Sequence, residues 1–168
     1  CVLKTLIPFV SRAREGFLNS GWISFDSLLV RARDLLRDHP GVREELKRKF
    51  KAILVDEFQD TDPIQYEILL YLTEEPGKQA RHWQEIHLSP GKIFVVGDPK
   101  QSIYAFRRAD MEAYLRVIQE VIEKQEGLHC TLRTNFRSHG KILDVVNGIF
   151  ERLIRPKEGL QPDYHPIY

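Results

Sequence analysis

The sequence predicts an α/β fold in which a parallel sheet is flanked by helices. Ala52 to Val55 and Ile93 to Val96 are short continuous apolar runs, the pattern of strands covered on both faces, and each ends at an acid, Asp56 or Asp98. Segments of helical spacing stand before, between and after these runs. Leu128, Cys130 and Leu132 alternate with polar residues as a third strand does. Strands that alternate with helices pair in parallel, because a parallel connection must cross over and a helix is the usual way to do so.

Taken in order, Leu3, Leu6, Ile7, Val10 and Phe17 share one helical face, with Pro8 expected to kink or interrupt it and Asn19 to Gly21 to end it. Asp26 is expected to cap a second helix whose stripe is Leu28, Ala32, Leu35 and Leu36, stopping at Pro40 and Gly41. REELKRKFK, residues 43 to 51, reads as a short charged helix with a solvated basic end. After the first strand, Asp62 supplies an N-cap and Pro63 a first helical position, and Ile64, Ile68, Tyr71 and Leu72 continue one face. Residues 73 to 92, rich in Glu, Gln, Pro and Gly, read as a solvated excursion. Asp110 is expected to cap a helix carrying Met111, Tyr114, Leu115, Ile118, Val121 and Ile122 until Gly127. Ser138 is expected to open a last helix with Ile142, Val146, Ile149, Phe150 and Leu153, and the proline-bearing tail from Arg155 reads as irregular.

Composition excludes several classes of function. With 25 Lys and Arg against 24 Asp and Glu, the chain has no global field that would draw it onto nucleic acid or an anionic membrane, so such contacts must come from local patches. Two cysteines without a CxxC spacing, Cys1 and Cys130, are expected to be free buried thiols in a reducing compartment. No apolar stretch approaches the ~20 residues of a membrane span, and a cytoplasmic location is expected. A first residue that is Cys rather than Met suggests a segment of something longer.

The chemistry gathers where strands end. In parallel α/β sheets, ligands bind beyond the carboxyl ends of the strands. An Asp directly after a buried strand can hold Mg²⁺ through water, and a neighbouring Glu can orient and deprotonate an attacking water, which is the arrangement offered by Asp56 and Glu57 in ILVDEFQDTD. In GDPKQSIYAFRRAD, residues 97 to 110, Gly97 permits a sharp turn, Asp98 and Gln101 put polar groups on the same rim, and Gln101 has the reach to meet a γ-phosphate. Tyr104 and Phe106 beside Arg107 and Arg108 form the mixture that stacks on bases while pairing with phosphates. In LRTNFRS, residues 132 to 138, Arg137 precedes the final helix and offers a planar fork suited to phosphate. Each of these, alone, is read more economically as a turn former, a cap, a core aromatic or a surface arginine. Their joint occurrence changes that weighting.

In this order, ILVDEFQDTDPIQ, VVGDPKQSIYAFRRAD and LRTNFRS resemble motifs II, III and IV of superfamily 1 DNA helicases of the UvrD/Rep type, with wording closest to the RecB/AddA-like helicase-nuclease branch. ISFDSLL at 23 to 29 is also similar to the FDDLL segment of that family, with Ser27 where an acid is common. The resemblance covers roughly residues 20 to 150 and implies a P-loop NTPase (RecA-like) fold and an ATP-dependent, 3′ to 5′ DNA translocase of repair or recombination. It implies that Asp56 ligates Mg²⁺, Glu57 activates water for ATP hydrolysis, Gln101 senses the γ-phosphate, Arg137 is the arginine finger, and Tyr104, Phe106 and Arg107 contact single-stranded DNA. Arg108 stands where many relatives have Gly and receives no such role. Phe106 replaces the Trp of UvrD-like members. Implied partners are single-stranded and duplex DNA and, in the helicase-nuclease branch, a partner subunit.

The P-loop GxxxxGK[ST] is absent from this sequence: the Gly-Lys pairs at 77, 91 and 140 are followed by Gln, Ile and Ile, and none has a Gly five residues earlier. The resemblance therefore implies an incomplete RecA-like sheet, divided as 1–22, the tail of a helical accessory insertion; 23–126, the C-terminal half of a first motor lobe; and 127–168, the start of a second. A sheet lacking its neighbouring strand is expected to expose an edge that favours self-association. Two other readings stay open. A non-catalytic module that binds single-stranded DNA or docks a partner would keep the aromatic segment without ATPase activity. A metal nuclease using Asp56, Glu57 and Asp60 is less well supported, because adjacent residues on one turn do not make a two-metal site. His82 and His87, with four residues between them, do not match the three intervening residues of the HExxH motif of zinc enzymes.

Overall fold

The structure is a computed structural model that describes residues 2–102, 111–155 and 164–168. Its regular elements are α1 (Val2–Asn19), α2 (Phe25–Asp38), α3 (Pro40–Lys49), β1 (Ile53–Val55), α4 (Pro63–Thr73), β2 (Ile93–Val95), α5 (Met111–Arg116) and α6 (Gly140–Leu153), with single 3-10 turns at Phe58–Asp60, Trp83–Glu85 and Pro99–Gln101. The two strands pair in parallel with Ile53 opposite Ile93, Leu54 opposite Phe94 and Val55 opposite Val95. The intervening α4 makes the crossover, so the expected α/β arrangement is present in a two-stranded form. The pairing continues past the strands: Val96 N–H donates to Val55 O at 2.8 Å and Phe58 N–H to Val96 O at 2.9 Å.

The expected third strand does not form. Residues 127–135 lack regular structure, with Leu128 and Leu132 exposed, because alternation makes a strand only where a sheet edge offers hydrogen-bond partners. Nor is the sheet covered on both faces. Ile53, Val55, Ile93 and Val95 face inward, while Leu54 and Phe94 are 75% and 62% exposed on the opposite face, as a two-residue period requires when only one side meets a core.

That core joins Leu36 of α2, Phe58, Tyr66, Leu70 and Tyr71 around α4, Ile86, and Tyr114 and Val117 beyond β2. Phe58 is its aromatic hub, with ring centroids 4.9 Å from Tyr66 and 5.6 Å from Tyr114, both in tilted contact. The acidic turn is thereby pinned from beneath by the residue that follows Glu57.

Several helix expectations need correction. Helix α1 runs unbroken through Pro8, and Gly21 in the turn after it has φ of 74°. Ser24, not Asp26, caps α2 by accepting the Ser27 N–H, because Phe25 is already helical and Asp26 lies in the first turn. Pro40 starts α3 as well as ending α2, since its fixed φ suits a first helical position. Asp62 does cap α4, in a capping box with Gln65. The buried face of α4 is Tyr66, Leu70 and Tyr71, rotated from the expected stripe, because the helix packs against both α2 and the sheet. Beyond α5 the helix widens to a π-turn over Val117–Ile122 and tightens over Glu123–Gln125 before Glu126 turns left-handed. Tyr114, Leu115, Ile118 and Ile122 pack on the core as expected, and the wider turn adds Val117. Asp110 lies outside the described residues. His139 rather than Ser138 caps α6, its Nδ1 accepting the Lys141 N–H, and Leu143 is the buried residue of that helix while Ile142, Ile149, Phe150 and Leu153 are exposed. Cys130 is exposed, not buried, because the segment carrying it lies outside the core.

The largest departure concerns charge. The basic end of α3 is solvated at Arg48 and Lys49, as expected, but Arg43 and Lys47 are buried. Arg43 and Glu74 are each 1% exposed and pair at 2.6 Å, and the Arg43 guanidinium stacks 4.2 Å from the Tyr71 ring centre. Lys47 Nζ lies 3.2 Å from the same Glu74 oxygen and donates to Glu75 O and Lys78 O at 2.8 Å. The other Glu74 oxygen accepts the Ala80 N–H at 2.8 Å. Glu74 thus anchors the start of the 73–92 segment, which is exposed over 76–79, 81–82 and 84–85, as expected, but is tied to the core: Ile86 is buried, Tyr71 donates its hydroxyl hydrogen to Arg81 O at 2.7 Å, and Gln125 clamps Ile86 O and Leu88 N–H at 2.7 Å each. No helix among the described residues is long and apolar enough to cross a membrane.

Removing one partner of a buried ion pair leaves the other charge uncompensated. Arg43→Ala is therefore expected to lower stability by about 3–5 kcal/mol in urea unfolding. The partly exposed Arg37, substituted in the same way, should cost less than about 1 kcal/mol.

Candidate functional site

The parallel pairing brings two turns to one edge. The turn after β1 carries Asp56 and Glu57, both exposed, and the turn after β2 carries Asp98 and the exposed Gln101. Glu57 is in the left-handed region, with φ 51° and ψ 42°, and its N–H donates to Asp56 Oδ1 at 2.9 Å. A left-handed side-chain-bearing residue costs roughly 1–2 kcal/mol, and such conformations cluster where function constrains the backbone. Here the strain turns the chain within one residue, so that Phe58 enters the core while the two carboxylates remain outside it.

Across the edge, Asp98 caps the following turn. Its carboxylate accepts the Lys100 N–H at 3.0 Å and the Gln101 side-chain amide at 3.1 Å, with Lys100 Nζ at 3.2 Å. Burial by itself would raise the Asp98 pKa, but the hydrogen bonds from Gln101 and Lys100 and the adjacent ammonium together hold it below the ordinary carboxylate value. The amide of Gln101 is accordingly occupied by Asp98 in this structure.

One residue that pattern reading left without a role joins the two turns. Gln59 is 1% exposed. Its Nε2 donates to Glu57 Oε2 at 2.7 Å and its Oε1 accepts the Asp98 N–H at 3.0 Å. Gly97 makes room for it, since a Cβ there would lie 2.8 Å from Gln59 Oε1 and 3.3 Å from both Gln59 N and Phe58 Cβ. The available signal was an amide within an acidic turn paired with a glycine at the matching point of the next turn.

The donor set suits one class of cation. Asp56 and Glu57 present exposed carboxylate oxygens, the hard donors that Mg²⁺ takes, and Asp60 Oδ1 is buried without a hydrogen-bond partner among the described residues. No group of three or more His, Cys, Asp or Glu residues able to hold a metal occurs among the described residues. Mg²⁺ usually keeps water and phosphate oxygens around one or two carboxylates, a number that Asp56 and Glu57 supply.

Arg137 is exposed on a turn in which Asn135 Oδ1 accepts the Arg137 and Ser138 N–H groups at 2.8 Å. No hydrogen bond or ion pair among the described residues joins it to Asp56, Glu57 or Asp98. Tyr104, Phe106, Arg107 and Arg108 lie outside the described residues.

Because the folded Asp98 pKa lies below its unfolded value near 3.9, the stabilisation it brings is complete above that value and is lost as pH falls through the folded pKa. Between about pH 6 and about pH 3 the wild-type chain should lose more stability than Asp98→Asn, read as the difference in urea midpoints. Equal losses would remove the carboxylate from the account of this turn.

A model of the UvrD/REP helicase N-terminal domain matches residues 3–122. The chain is 34% identical over 161 residues to an ATP-dependent helicase/nuclease subunit of Listeria innocua, covering 90% of this chain and 12% of that protein. It is 38% identical over 172 aligned positions to the like-named protein of Lysinibacillus sphaericus, covering 94% of this chain and 13% of the relative. It is 36% identical over 134 residues to RecBCD enzyme subunit RecB of Escherichia coli, covering 79% of this chain and 10% of RecB. The chain thus spans only 10% to 13% of the length of these relatives.

Proposed function

The chain belongs to the UvrD/REP helicase family, matched over its N-terminal domain, and from that premise we propose that it supplies the hydrolytic half of a nucleotide site in an ATP-driven DNA translocase. The observation that carries this reading is the convergence of Asp56, Glu57, Asp98 and Gln101 at the carboxyl edge of two parallel strands, where α/β sheets bind ligands.

In this reading Asp56 holds Mg²⁺ through its carboxylate, and Glu57 orients a water and accepts its proton. The cation, when bound, neutralises charge on the phosphates. Gln101 exchanges its bond to Asp98 for the γ-phosphate, which would connect nucleotide state to the segment directly after it. Tyr104, Phe106 and Arg107, in that segment, stack on and pair with single-stranded DNA. Arg137 is assigned the arginine finger, supplied from residues 127–168 as the start of a second lobe to a first lobe formed by 23–126, with 1–22 the end of a helical insertion. Movement is assigned the 3′ to 5′ direction by family resemblance. ATP, DNA and a helicase-nuclease partner subunit belong to the whole protein in this proposal.

The sequence has no GxxxxGK[ST] loop to hold the phosphates, and this favours a second reading for the 168 residues alone, a single-strand-binding module without turnover. The purified chain should hydrolyse no ATP, with or without single-stranded DNA. DNA-stimulated turnover that disappears in Glu57→Gln would overturn the division of the site. Binding of a labelled oligonucleotide, followed by anisotropy, should weaken about tenfold or more in Tyr104→Ala plus Phe106→Ala, given stacking of ~1–3 kcal/mol per base. Unchanged binding would remove both aromatics from the DNA contact.

A further inference from the structure

We propose that Gln59 is a positioning residue that couples the Glu57 carboxylate to the backbone of Asp98, so that the two strand-end turns respond to a ligand as one unit. The inference rests on the reading of Glu57 given above for its meaning in catalysis, but the coupling itself is a property of the chain.

The geometry leaves Gln59 no alternative orientation. Its amide is buried with both ends used, Nε2 on Glu57 Oε2 at 2.7 Å and Oε1 on the Asp98 N–H at 3.0 Å. A flip about the terminal torsion would set the amide NH₂ against the Asp98 N–H and the amide oxygen against the Glu57 carboxylate, two repulsions in place of two bonds. The Gln59 backbone is held as well. Its carbonyl accepts from Ser102 Oγ at 3.4 Å, and Phe58 beside it donates its N–H to Val96 O at 2.9 Å. Overhead, Gly97 leaves the carboxamide room that a methyl group would fill at 2.8 Å.

Two consequences follow for the carboxylate. With Oε2 of Glu57 held by Gln59, Oε1 carries no hydrogen bond among the described residues and is the oxygen left for a water. Any displacement of Glu57 must lengthen the bond at Nε2 or drag the amide, and dragging it disturbs the Asp98 N–H. Asp98 in turn holds Gln101 at 3.1 Å. A continuous path of three hydrogen bonds therefore runs from Glu57 through Gln59 and Asp98 to Gln101. Hydrogen bonds in series through a buried amide transmit position because an unsatisfied end costs more than a strained one.

The test reads the Asp98 amide of the 168-residue chain by hydrogen exchange and by its ¹H–¹⁵N resonance. Gln59→Met keeps the length and burial of the side chain without its hydrogen bonds, and should speed exchange of the Asp98 amide on the order of tenfold. Glu57→Ala should shift the Asp98 resonance in the wild-type background and leave it unmoved in the Gln59→Met background. That non-additivity separates coupling from a general loss of packing. Gly97→Ala, which retains Gln59 but crowds its amide, should weaken the same response. An Asp98 amide that ignores Glu57→Ala in the wild-type background, or responds equally in both backgrounds, overturns the proposal. Titration with magnesium chloride distinguishes this from the functional reading. If magnesium shifts Asp56 and Glu57 but leaves Asp98 unmoved, the coupling fails and the metal assignment stands. If magnesium shifts none of them while the mutational coupling persists, the metal assignment fails and the coupling stands.

Discussion

The parallel alignment of β1 with β2 is the constraint on which the rest of the structure depends. Antiparallel strands would send their carboxyl ends to opposite edges, and Asp56 would lie a strand length from Asp98. In parallel register, Val55 and Val95 are partners, so the chain leaves both strands at the same level. The bonds from Val96 N–H to Val55 O and from Phe58 N–H to Val96 O carry that alignment into the turns. Gln59 then has only the width of one strand to cross.

The pairing is supported by a charged core as well as an apolar one. A crossover helix must end where the chain can return to the sheet, and α4 ends at a buried carboxylate, Glu74, held by Arg43, Lys47 and the Ala80 N–H. Lys92, just ahead of β2, donates to Lys47 O at 2.8 Å and ties the start of that strand to α3. Buried ions are costly to desolvate, and their return here is directional: each fixed donor admits one placement of the carboxylate and hence one exit from the helix. On the other side, the tilted contacts of Phe58 with Tyr66 and Tyr114 hold the acidic turn against the core. The strained Glu57 backbone is over-determined by these neighbours, which is the condition under which such strain persists.

Much of the local structure was legible in sequence because its causes are local. The Asp62–Pro63 start of α4 is a case: an N-cap oxygen and a proline with no N–H to lose act within one turn. The two strands were legible as apolar runs, and the acid after each marked the edge to which parallel pairing brings both turns. The misreadings share a different cause. Leu128, Cys130 and Leu132 have the alternation of a strand but no sheet edge to pair with among the described residues. Arg43 and Lys47 have the composition of a solvated helix face, yet a carboxylate 31 residues away from Arg43 in the chain draws them inside. Val117 joined the core because the helix widened into a π-turn, which changes which side chains share a face.

By itself, the sequence determined the residue types that can do chemistry and their order along the chain: acids after strands, a glutamine in the turn after the second, aromatics interleaved with arginines, and no GxxxxGK[ST] loop. These follow from side-chain chemistry and short-range spacing, which any reader of the chain possesses. Only the tertiary structure decided that Gln59 links the two acidic turns, that Gly97 is the space it needs, and that a buried glutamate closes the crossover. Each of those depends on a distance between residues far apart in sequence, and such distances are set by how helices and strands pack rather than by any local preference of the chain.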